Sequence, residues 1–509
     1  MAKKRMKPAG KIIILLIIAA GLFFGYTKLD KIAPSGEKES SSSSDGFFSK
    51  KSDKGTIKIG VVTWGGYAGG QYFNRGFKPN DNSQFRKQYG FDVEFKVLDD
   101  YEASRNAFKA GAVDLLWTTI DAYPVEAGAL GATFLFQADW SRGGDAIVAT
   151  EIINKPGDLR GKKIAYLPGS PSHTFLIYFL EANGINANEI KAVEVKDAIE
   201  AAKVFKAGQS DAAVVWSPDD AICISEVRGS KILASTKEAT HIIADGFLVK
   251  PEYLQANKDK LVKLVEGWFK GAAEINSNPQ AKEEASQILA SGLGISASEA
   301  MASINNVRLT NYGDNLNFFG INSDYDLPTG KSLYSKMKII YDGQGLTSGR
   351  TPSFDAITDI SVIQSVNLQA VGGQEGELQA KFSKADKKVI KKEAFSSKPV
   401  SITFATGRYD LDQDAQYTIK KEFIPTAKSF PNLYIRIEGN TEMTGNYNNN
   451  IQLSRKRAKS VADFLTTLGM DPNRFIIQGN GPDKPLCQEQ STDCYSQNRR
   501  TDFELIASN

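Results

Sequence analysis

The sequence predicts a chain of several domains: an N-terminal hydrophobic helix, an α/β domain with two similar lobes, and a C-terminal α+β domain. Three observations predict this fold class. Residues 56–370 alternate strand and helix patterns and contain one helix–turn–strand unit twice. Residues 398–509 start a new order of strands and helices after a polar segment, and residues 12–26 form an apolar run. At 509 residues, the chain also exceeds what one hydrophobic core normally serves.

The apolar run at residues 12–26 is preceded by basic side chains, namely Lys3, Lys4, Arg5, Lys7 and Lys11. This order is typical of an export signal whose basic flank stays in the cytoplasm. The length of the run lies between that of a signal-peptide core and the roughly 17–25 residues of a full span. Two interpretations follow. Residues 1–32 are either a single-pass inner-membrane anchor with the bulk of the chain in the periplasm, or a signal peptide whose cleavage leaves a periplasmic protein.

Two polar segments divide the rest of the chain. Residues 33–55 contain a serine run and scattered charges, which is the composition of a flexible linker. Residues 371–397 are predicted to be a second linker. The α/β domain is therefore expected at residues 56–370, with its second lobe at about 146–244, and the C-terminal domain at residues 398–509.

The repeated unit consists of the sequence Phe-Lys-Ala-Gly, an acidic turn and a strand that ends in tryptophan. Its first copy covers residues 108–117 and includes Asp114, and its second copy covers residues 205–216 and includes Asp211. Each copy is predicted to be a helix that stops at glycine, followed by a turn and a strand. Two copies indicate two similar lobes.

Tryptophans lie at the ends of three predicted strands, at Trp64, Trp117 and Trp216. In parallel α/β sheets ligands bind at this edge, because loops and helix N-termini converge there. A further strand leads into a predicted helix whose N-cap is Ser170 and whose first residue is Pro171. Free backbone N–H groups and hydroxyls at such a start suit an anion or a polar group. These features predict a binding cleft.

Residues 55 to about 370 resemble ABC-transporter substrate-binding proteins of the nitrate, taurine and thiamine-precursor type. The resemblance rests on the sequence DLRGKKI at residues 158–164, the sequence SRGGD at 141–145, and the sequence AGQSDAAVVWSP ending at Pro218. It implies a two-lobed periplasmic-binding-protein fold, and an ABC permease or another envelope protein as partner. It also implies a cleft lined by Trp64, Tyr67, Thr118, Thr119, Asp121, Ser170, Ser172, His173, Trp216 and Asp219.

The class of ligand stays open, because the sequence contains two opposite indications. The helix start at Ser170 together with Arg142 favours an oxyanion. Tryptophans beside Asp121 and Asp219 favour a cationic or aromatic ligand. An amphoteric small molecule would satisfy both.

The C-terminal region carries several separated motifs. They are Gly-Asn-Thr-Glu at residues 439–442, Asn450, the sequence LSRKRA at 453–458 and Asn-Arg-Arg at 498–500. Together they resemble the OmpA-like peptidoglycan-binding domain, over nearly all of residues 398–509.

In that family an acidic residue and an arginine hold the zwitterionic end of the diaminopimelate side chain of the wall peptide. The resemblance carries these roles to Glu442 and Arg457, with Asn450 in support. Glu442 replaces the family's aspartate, which places the carboxylate about one methylene further out and predicts weaker binding. Arg499 and Arg500 are interpreted as strand-entry and surface residues.

Other chemistry is not indicated. Cys487 and Cys494 enclose a short polar loop that an oxidising periplasm would close as a disulfide, whereas Cys223 has an apolar context. The only histidines, His173 and His241, accompany no nucleophile motif and no metal-ligand cluster, so we expect no enzyme, no cofactor and no metal. The net charge of +3 argues against nucleic-acid binding.

The sequence therefore predicts a cell-envelope protein that binds a small polar or anionic solute in its cleft and attaches to peptidoglycan. The alternative is a scaffold in which the two-lobed domain contacts other envelope proteins and binds no small ligand.

Overall fold

The computed structural model describes residues 55–377, 381–396 and 400–508. The expected anchor and nearly all of the first linker lie outside the described residues. Within these three ranges, no helix combines the length and apolar character that a membrane span requires.

The strands form three sheets. They are β1 (Thr56–Val61), β2 (Asp92–Val97), β3 (Leu115–Thr119), β4 (Thr133–Ser141), β5 (Asp145–Ala149), β6 (Lys163–Tyr166), β7 (Lys191–Glu194), β8 (Ala212–Trp216), β9 (Lys231–Ser235), β10 (Ala244–Val249), β11 (Val307–Leu309), β12 (Ile402–Thr403), β13 (Tyr434–Asn440), β14 (Phe475–Gly481) and β15 (Arg500–Ile506).

The α-helices surround these sheets. They are α1 (Ala68–Phe73), α2 (Gln84–Tyr89), α3 (Tyr101–Lys109), α4 (Ala127–Leu130), α5 (Pro171–Ala182), α6 (Ala198–Lys206), α7 (Asp219–Glu226), α8 (Pro251–Ser277), α9 (Pro279–Leu293), α10 (Ala297–Asn305), α11 (Tyr312–Phe318), α12 (Gly330–Gly343), α13 (Ser361–Ser365), α14 (Lys387–Ile390), α15 (Gln413–Thr418), α16 (Ile424–Ser429), α17 (Tyr447–Thr467) and α18 (Thr492–Asn498).

The α/β domain has two lobes, each built on one sheet. The first sheet has the order β11-β4-β10-β3-β1-β2, and the second has the order β7-β6-β8-β5-β9. The chain crosses between the lobes twice, from β4 to β5 and from β9 to β10. Both sheets are mixed, because β10 runs antiparallel to β3 and β4, and β5 runs antiparallel to β8 and β9. The two crossings place the ends of β4, β5 and β10 at the junction of the lobes.

The repeated unit has the same structure in both lobes. Helices α3 and α6 are each followed by a left-handed glycine, at φ 72° for Gly111 and 68° for Gly208. The acidic residue of each turn then accepts a hydrogen bond from the backbone of the neighbouring strand, from Lys58 N to Asp114 Oδ2 and from Lys163 N to Asp211 Oδ2, both 2.8 Å. The repeat therefore marks equivalent positions in the two lobes.

The C-terminal domain is a four-stranded sheet of order β12-β15-β13-β14 covered by α17. The helix lies close to the strands because they carry glycine at the contact. A Cβ on Gly439 would lie 1.9 Å from the backbone oxygen of Ser454, and one on Gly479 would lie 2.8 Å from the backbone of Arg455. Glycine at these two positions thus lets α17 lie directly against β13 and β14.

The segment predicted as a second linker is packed in its described parts. Gln374 donates to the backbone oxygen of Phe269 in the α/β domain at 3.2 Å. Further along, Phe395 N donates to Leu505 O of β15 at 2.8 Å, and the Phe395 ring contacts Phe430 of the C-terminal domain. The described residues before 378 therefore belong to the α/β domain, and those after 380 belong to the C-terminal domain.

Candidate functional site

A row of polar side chains crosses three neighbouring strands at the junction of the lobes. Asp245 of β10 lies directly opposite Thr119 of β3 and Asp139 of β4. The row receives two donors from the segment after β1, because Tyr67 Oη donates to Asp245 Oδ1 at 2.8 Å and Trp64 Nε1 donates to Asp139 Oδ2 at 3.1 Å. Two residues predicted to line the cleft, Trp64 and Tyr67, are therefore bound to acidic residues of the crossing strands.

Trp64 also joins the first lobe to the crossing into the second. A Cβ on Gly144 would lie 2.0 Å from the Trp64 ring, so only glycine allows the indole to lie against this backbone. Gly144 O accepts from Ser217 N at 2.8 Å. Trp216, the residue before it, lies opposite Asp145 in the β5–β8 pairing, and its Nε1 is buried without a hydrogen-bond partner.

The start of α5 has the predicted cap. Ser170 Oγ accepts from His173 N at 3.4 Å and donates to Leu167 O at 2.7 Å. His173 Nδ1 accepts from Gly169 N at 3.1 Å, and burial lowers the pKa of His173 to about 4. Ser172 Oγ is buried without a partner. His173 is therefore neutral at pH 7 and adds no positive charge to the helix start.

Asp121 and Asp145 are both buried at the junction. Burial raises the pKa of Asp121 to about 7, although Thr174 of α5 lowers it in part. Asp121 Oδ1 accepts from Ala244 N at 3.3 Å, while its Oδ2 has no partner. Burial also raises the pKa of Asp145 to about 7, although Ser141 Oγ donates to its Oδ2 at 2.7 Å. The junction thus holds carboxyl groups that ionise near neutral pH.

A buried ion pair lies beside Thr118. Arg105 donates from Nε and Nη2 to the two carboxylate oxygens of Glu126, both at 2.9 Å, and Thr118 Oγ1 donates to Glu126 Oε1 at 3.3 Å. The Arg105 guanidinium lies over the rings of Tyr101 and Trp117. The sequence does not predict the pair of Arg105 and Glu126, because the two residues are 21 positions apart and no motif connects them.

Asp219, which is predicted to line the cleft, and Arg142, which is taken to favour an oxyanion, have surroundings that the sequence does not predict. Asp219 is the half-buried first residue of α7, close to Lys206 and Lys203. Arg142, the expected indication of an oxyanion, donates from both Nη atoms to the carboxylate of Glu377. It lines a cavity of about 190 Å³ together with Asn432 of the C-terminal domain. The Arg142 charge is thus paired with a carboxylate of the protein, and its expected role toward an anion in the cleft stays a prediction.

A second cavity, of about 640 Å³, also lies outside the predicted cleft. Its lining comes from α5, α12 and α16, and includes Glu181, Lys336 and Lys428. The acidic and basic side chains here pair with each other, as Lys336 does with Glu181 and Lys428 with Asp326. This cavity lies between the α/β domain and the C-terminal domain and is lined by residues of both.

The candidate wall-peptide site lies in the C-terminal domain, at the end of β13. Glu442 Oε2 accepts from Arg499 Nη1 at 2.5 Å, and the two side chains are 16% and 14% exposed. Asn450 Nδ2 donates to Thr444 O at 2.8 Å, which closes the loop that carries Glu442. The structure therefore brings Glu442, Asn450 and Arg499 together in a position that solvent reaches.

Arg457 has a different environment from the one expected. It is 0% exposed and donates to three backbone oxygens, from Nε to Arg408 at 2.9 Å, from Nη1 to Asn440 at 2.9 Å and from Nη2 to Ala405 at 3.2 Å. Burial lowers the pKa of Arg457 to about 10. The interpretation of Arg499 as a mere strand-entry residue needs correction, because Arg499 is the arginine that pairs with Glu442. The sequence does not reveal this ion pair, because Arg499 and Glu442 are 57 residues apart.

The cysteines are arranged as expected from their spacing. Cys487 and Cys494 form a disulfide with Cα atoms 5.6 Å apart, and Cys223 is free and buried. Within the described parts of the chain, no group of three or more His, Cys, Asp or Glu side chains is arranged to hold a metal ion.

Comparisons with known proteins match the two domains separately. Residues 145–282 match the family model described as NMT1/THI5 like, and residues 403–499 match that of the OmpA family. The probable lipoprotein YiaD of Escherichia coli is 37% identical over 78 residues, which are 15% of this chain and 36% of that protein. The peptidoglycan-associated lipoprotein of Rhizobium meliloti is 34% identical over 99 residues, 19% of this chain and 56% of that protein.

The chain thus spans about a third to a little over half the length of these curated relatives. Among solved structures, the periplasmic aliphatic sulphonate binding protein SsuA from Escherichia coli aligns with 62% of this chain and 100% of its own, at 17% identity and a TM-score of 0.47. The chain therefore combines a segment that matches the NMT1/THI5-like family model with a C-terminal segment that matches the OmpA family model.

Proposed function

We propose that the chain is a cell-envelope protein that binds a small polar solute between its two lobes and attaches to peptidoglycan through its C-terminal domain. The observation that carries the proposal is the partly exposed Glu442–Arg499 pair inside the segment that matches the OmpA family. A zwitterion such as the end of a diaminopimelate side chain offers an ammonium to Glu442 and a carboxylate to Arg499, and so replaces both halves of the pair.

The relatives support this assignment. Several proteins similar to the C-terminal domain carry the name peptidoglycan-associated lipoprotein, at 31–34% identity. Arg457 donates to the backbone oxygens of Ala405, Arg408 and Asn440, and so holds the segment after β12 against the end of β13. In this way it positions Glu442 for the wall peptide. In this proposal Arg457 and Asn450 act through the shape of the site, whereas Glu442 and Arg499 contact the ligand.

The solute is bound at the junction of the lobes. Buried polar atoms that lack partners in the protein, among them Trp216 Nε1 and Ser172 Oγ, are suited to hold a polar molecule there. Trp64 bridges the lobes and would report their closure through its fluorescence.

The experiment that tests the wall-binding part is co-sedimentation of the full chain with purified peptidoglycan. We expect Glu442→Gln to lower the bound fraction about tenfold at limiting peptidoglycan, since a charge-assisted hydrogen bond is lost. Asp463→Asn is the matched control, because Asp463 is an exposed acid of α17 that pairs only within its own helix. Equal binding of Glu442→Gln and the control would contradict the proposed site.

We also propose that residues 12–26 anchor the chain in the inner membrane, with an ABC permease or another envelope protein as partner. The basic residues before this run support the orientation with the bulk of the chain in the periplasm. The anchor predicts that the full chain stays with membranes after carbonate extraction. Release into the soluble periplasmic fraction, with a shortened N-terminus, would identify a cleaved signal instead.

A further inference from the structure

Four carboxyl groups are concentrated at the junction of the lobes. Asp121, Asp139, Asp145 and Asp245 are each no more than 4% exposed. Asp139 and Asp245 face each other across neighbouring strands, and Asp145 follows the crossing that leaves β4. Within the part of the chain that the structure describes, the ion pairs of this region involve other acids, and none of these four is paired with a lysine, arginine or histidine.

Three basic groups near the junction carry no free charge toward it. Arg105 is held in a bidentate pair by Glu126, and Arg142 is paired with Glu377. Burial keeps His173 neutral at pH 7. Lys237 lies against Gly143 of the crossing, and its side chain is exposed. The four buried acids are therefore not neutralised by an ion pair.

Buried atoms without partners at the same place point to a ligand. Thr119 is 3% exposed, and its Oγ1 has no hydrogen-bond partner although it lies opposite Asp245. Asp139 Oδ1 and Ser172 Oγ are also buried and have no hydrogen-bond partner in the protein. The same holds for Trp216 Nε1, whose residue lies opposite Asp145. Because an unpaired buried polar group is unfavourable, a site with several of them favours a ligand that pairs with them.

We propose that the cleft binds a small organic cation, with an ammonium or amidinium group among the acidic side chains of Asp121, Asp139, Asp145 and Asp245 and one acceptor on the Trp216 indole. The inference rests on the proposed solute-binding function and names its ligand class. The indole rings of Trp64 and Trp216 give the cation aromatic neighbours.

Electrostatics separates this proposal from an oxyanion ligand. In a site that excludes water, an ionised carboxylate attracts a cation and repels an anion. The pKa values of Asp121 and Asp145 are about 7, that of Asp139 is about 8, and burial raises the pKa of Asp245 further. At pH 8, Asp121 and Asp145 are therefore mostly ionised, so an anion there would meet their negative charge and a cation would be attracted to it.

The test is thermal unfolding of the full chain at pH 8 with four probes. Ethanolamine and putrescine are the cations, and propane-1-sulfonate and inorganic phosphate are the anions. We expect at least one cation at roughly 10 mM to raise Tm by about 2 °C or more, and neither anion to do so. Asp139→Asn should abolish this shift. Asp355→Asn should keep it, because Asp355 is exposed and pairs with Lys331 at the surface.

The outcomes distinguish failure of the cation proposal from failure of the proposed solute binding. Stabilisation by an anion alone would overturn the cation proposal and leave solute binding standing. The absence of any shift with all four probes would contradict both. If Asp139→Asn lacks the far-UV circular dichroism of the parent, Asp121→Asn replaces it. A cation shift that persists in full in a folded Asp→Asn variant would overturn the assigned site.

Discussion

Arg457 and Arg499 have different surroundings although both lie near Glu442. Arg457 is fully buried and satisfies three backbone oxygens, whereas Arg499 pairs with Glu442 where solvent reaches both side chains. A buried arginine that holds backbone groups is a structural element of the domain. The Glu442–Arg499 pair is not fully buried, so a charged ligand from solvent can reach it and replace the partner of each side chain.

This difference predicts opposite effects of two substitutions. Arg457→Ala should lower the free energy of unfolding of the C-terminal domain by about 3 kcal/mol, since three backbone oxygens lose their donor. Arg499→Gln should lower it by less, about 1–2 kcal/mol, because Arg499 donates to Phe404 O at 3.1 Å as well as to Glu442, and it should weaken peptidoglycan binding. Urea denaturation and co-sedimentation measure the two quantities. A stable Arg457→Ala protein that loses only wall binding would show that Arg457 itself contacts the ligand.

The buried acids predict a dependence of stability on pH. Burial raises the pKa of Asp121 and Asp145 to about 7, above the value of about 4 in unfolded chains. The folded protein therefore holds more protons between about pH 4 and pH 7, and its stability falls as pH rises through this window. Asp139 and Asp245 also have raised pKa values, caused by burial and by each other or neighbouring acids, and they extend the loss upward.

The matching experiment is urea unfolding at pH 5 and pH 8.5. We expect the α/β domain to lose several kcal/mol between these values, and Asp121→Asn to lose about 1–4 kcal/mol less. Tyr178 and Tyr341 also face Asp121, but burial raises their pKa well above this range, so they stay neutral. The same pH dependence in Asp121→Asn and the parent would refute the assignment.

At the scale of elements, the helix–turn–strand unit is the clearest case of a local signal that predicts tertiary structure. The stop at glycine and the acidic turn are contiguous in sequence, and Asp114 and Asp211 each accept a backbone hydrogen bond that connects the turn to the neighbouring strand. The N-cap of α5 and the strand that ends at Trp216 are predictable for the same reason, whereas Trp64 lies beyond the end of β1 at Val61 and Trp117 lies inside β3. Each depends on residues only a few positions apart.

Contacts between distant segments are not predictable in this way. Arg142 and Glu377 are 235 residues apart, and Glu442 and Arg499 are 57 apart. A motif indicates which residue types are present but does not show which partner neutralises a charge. This is why the pairing of Arg142 with Glu377 and that of Arg499 with Glu442 are missed. The burial of four acids at one junction likewise depends on two chain crossings that no local pattern describes.

The repeated unit yields a paired prediction. Asp211→Ala and Asp114→Ala should each lower the free energy of unfolding by about 1–2 kcal/mol, because each leaves one backbone N–H without its acceptor. Thermal or urea unfolding checks this. Replacement by Asn, which keeps a side-chain oxygen as acceptor, should recover most of the loss. An unchanged stability in both alanine variants would show that these hydrogen bonds are not maintained in solution.

At the scale of the whole molecule, the C-terminal domain contacts the second lobe through the end of α5. The Phe395 ring packs edge-on against Phe179 and also contacts Phe430, and Ser396 Oγ donates to the backbone oxygen of Ala182. The start of the same helix carries Ser170, Ser172 and His173. One helix therefore connects the junction of the lobes with the domain proposed to bind the wall.

This contact predicts how the domains unfold. The parent chain should show overlapping thermal transitions of its two domains, and Phe395→Ala should separate them, since an apolar contact of about 3 kcal/mol is lost. Differential scanning calorimetry measures this. Ile339→Ala is a suitable control, because Ile339 is 73% exposed on α12. Identical profiles for the parent and Phe395→Ala would mean that the domains unfold independently.

The central claim is that the Glu442–Arg499 pair receives the zwitterionic end of the wall peptide. Its most direct test is the affinity of the full chain for a soluble muropeptide that contains diaminopimelate, measured by titration calorimetry for the parent, Glu442→Gln and Asp463→Asn. We predict binding by the parent and by Asp463→Asn, and an affinity at least about tenfold lower for Glu442→Gln. Equal affinity in all three proteins, or binding by none, would contradict the account.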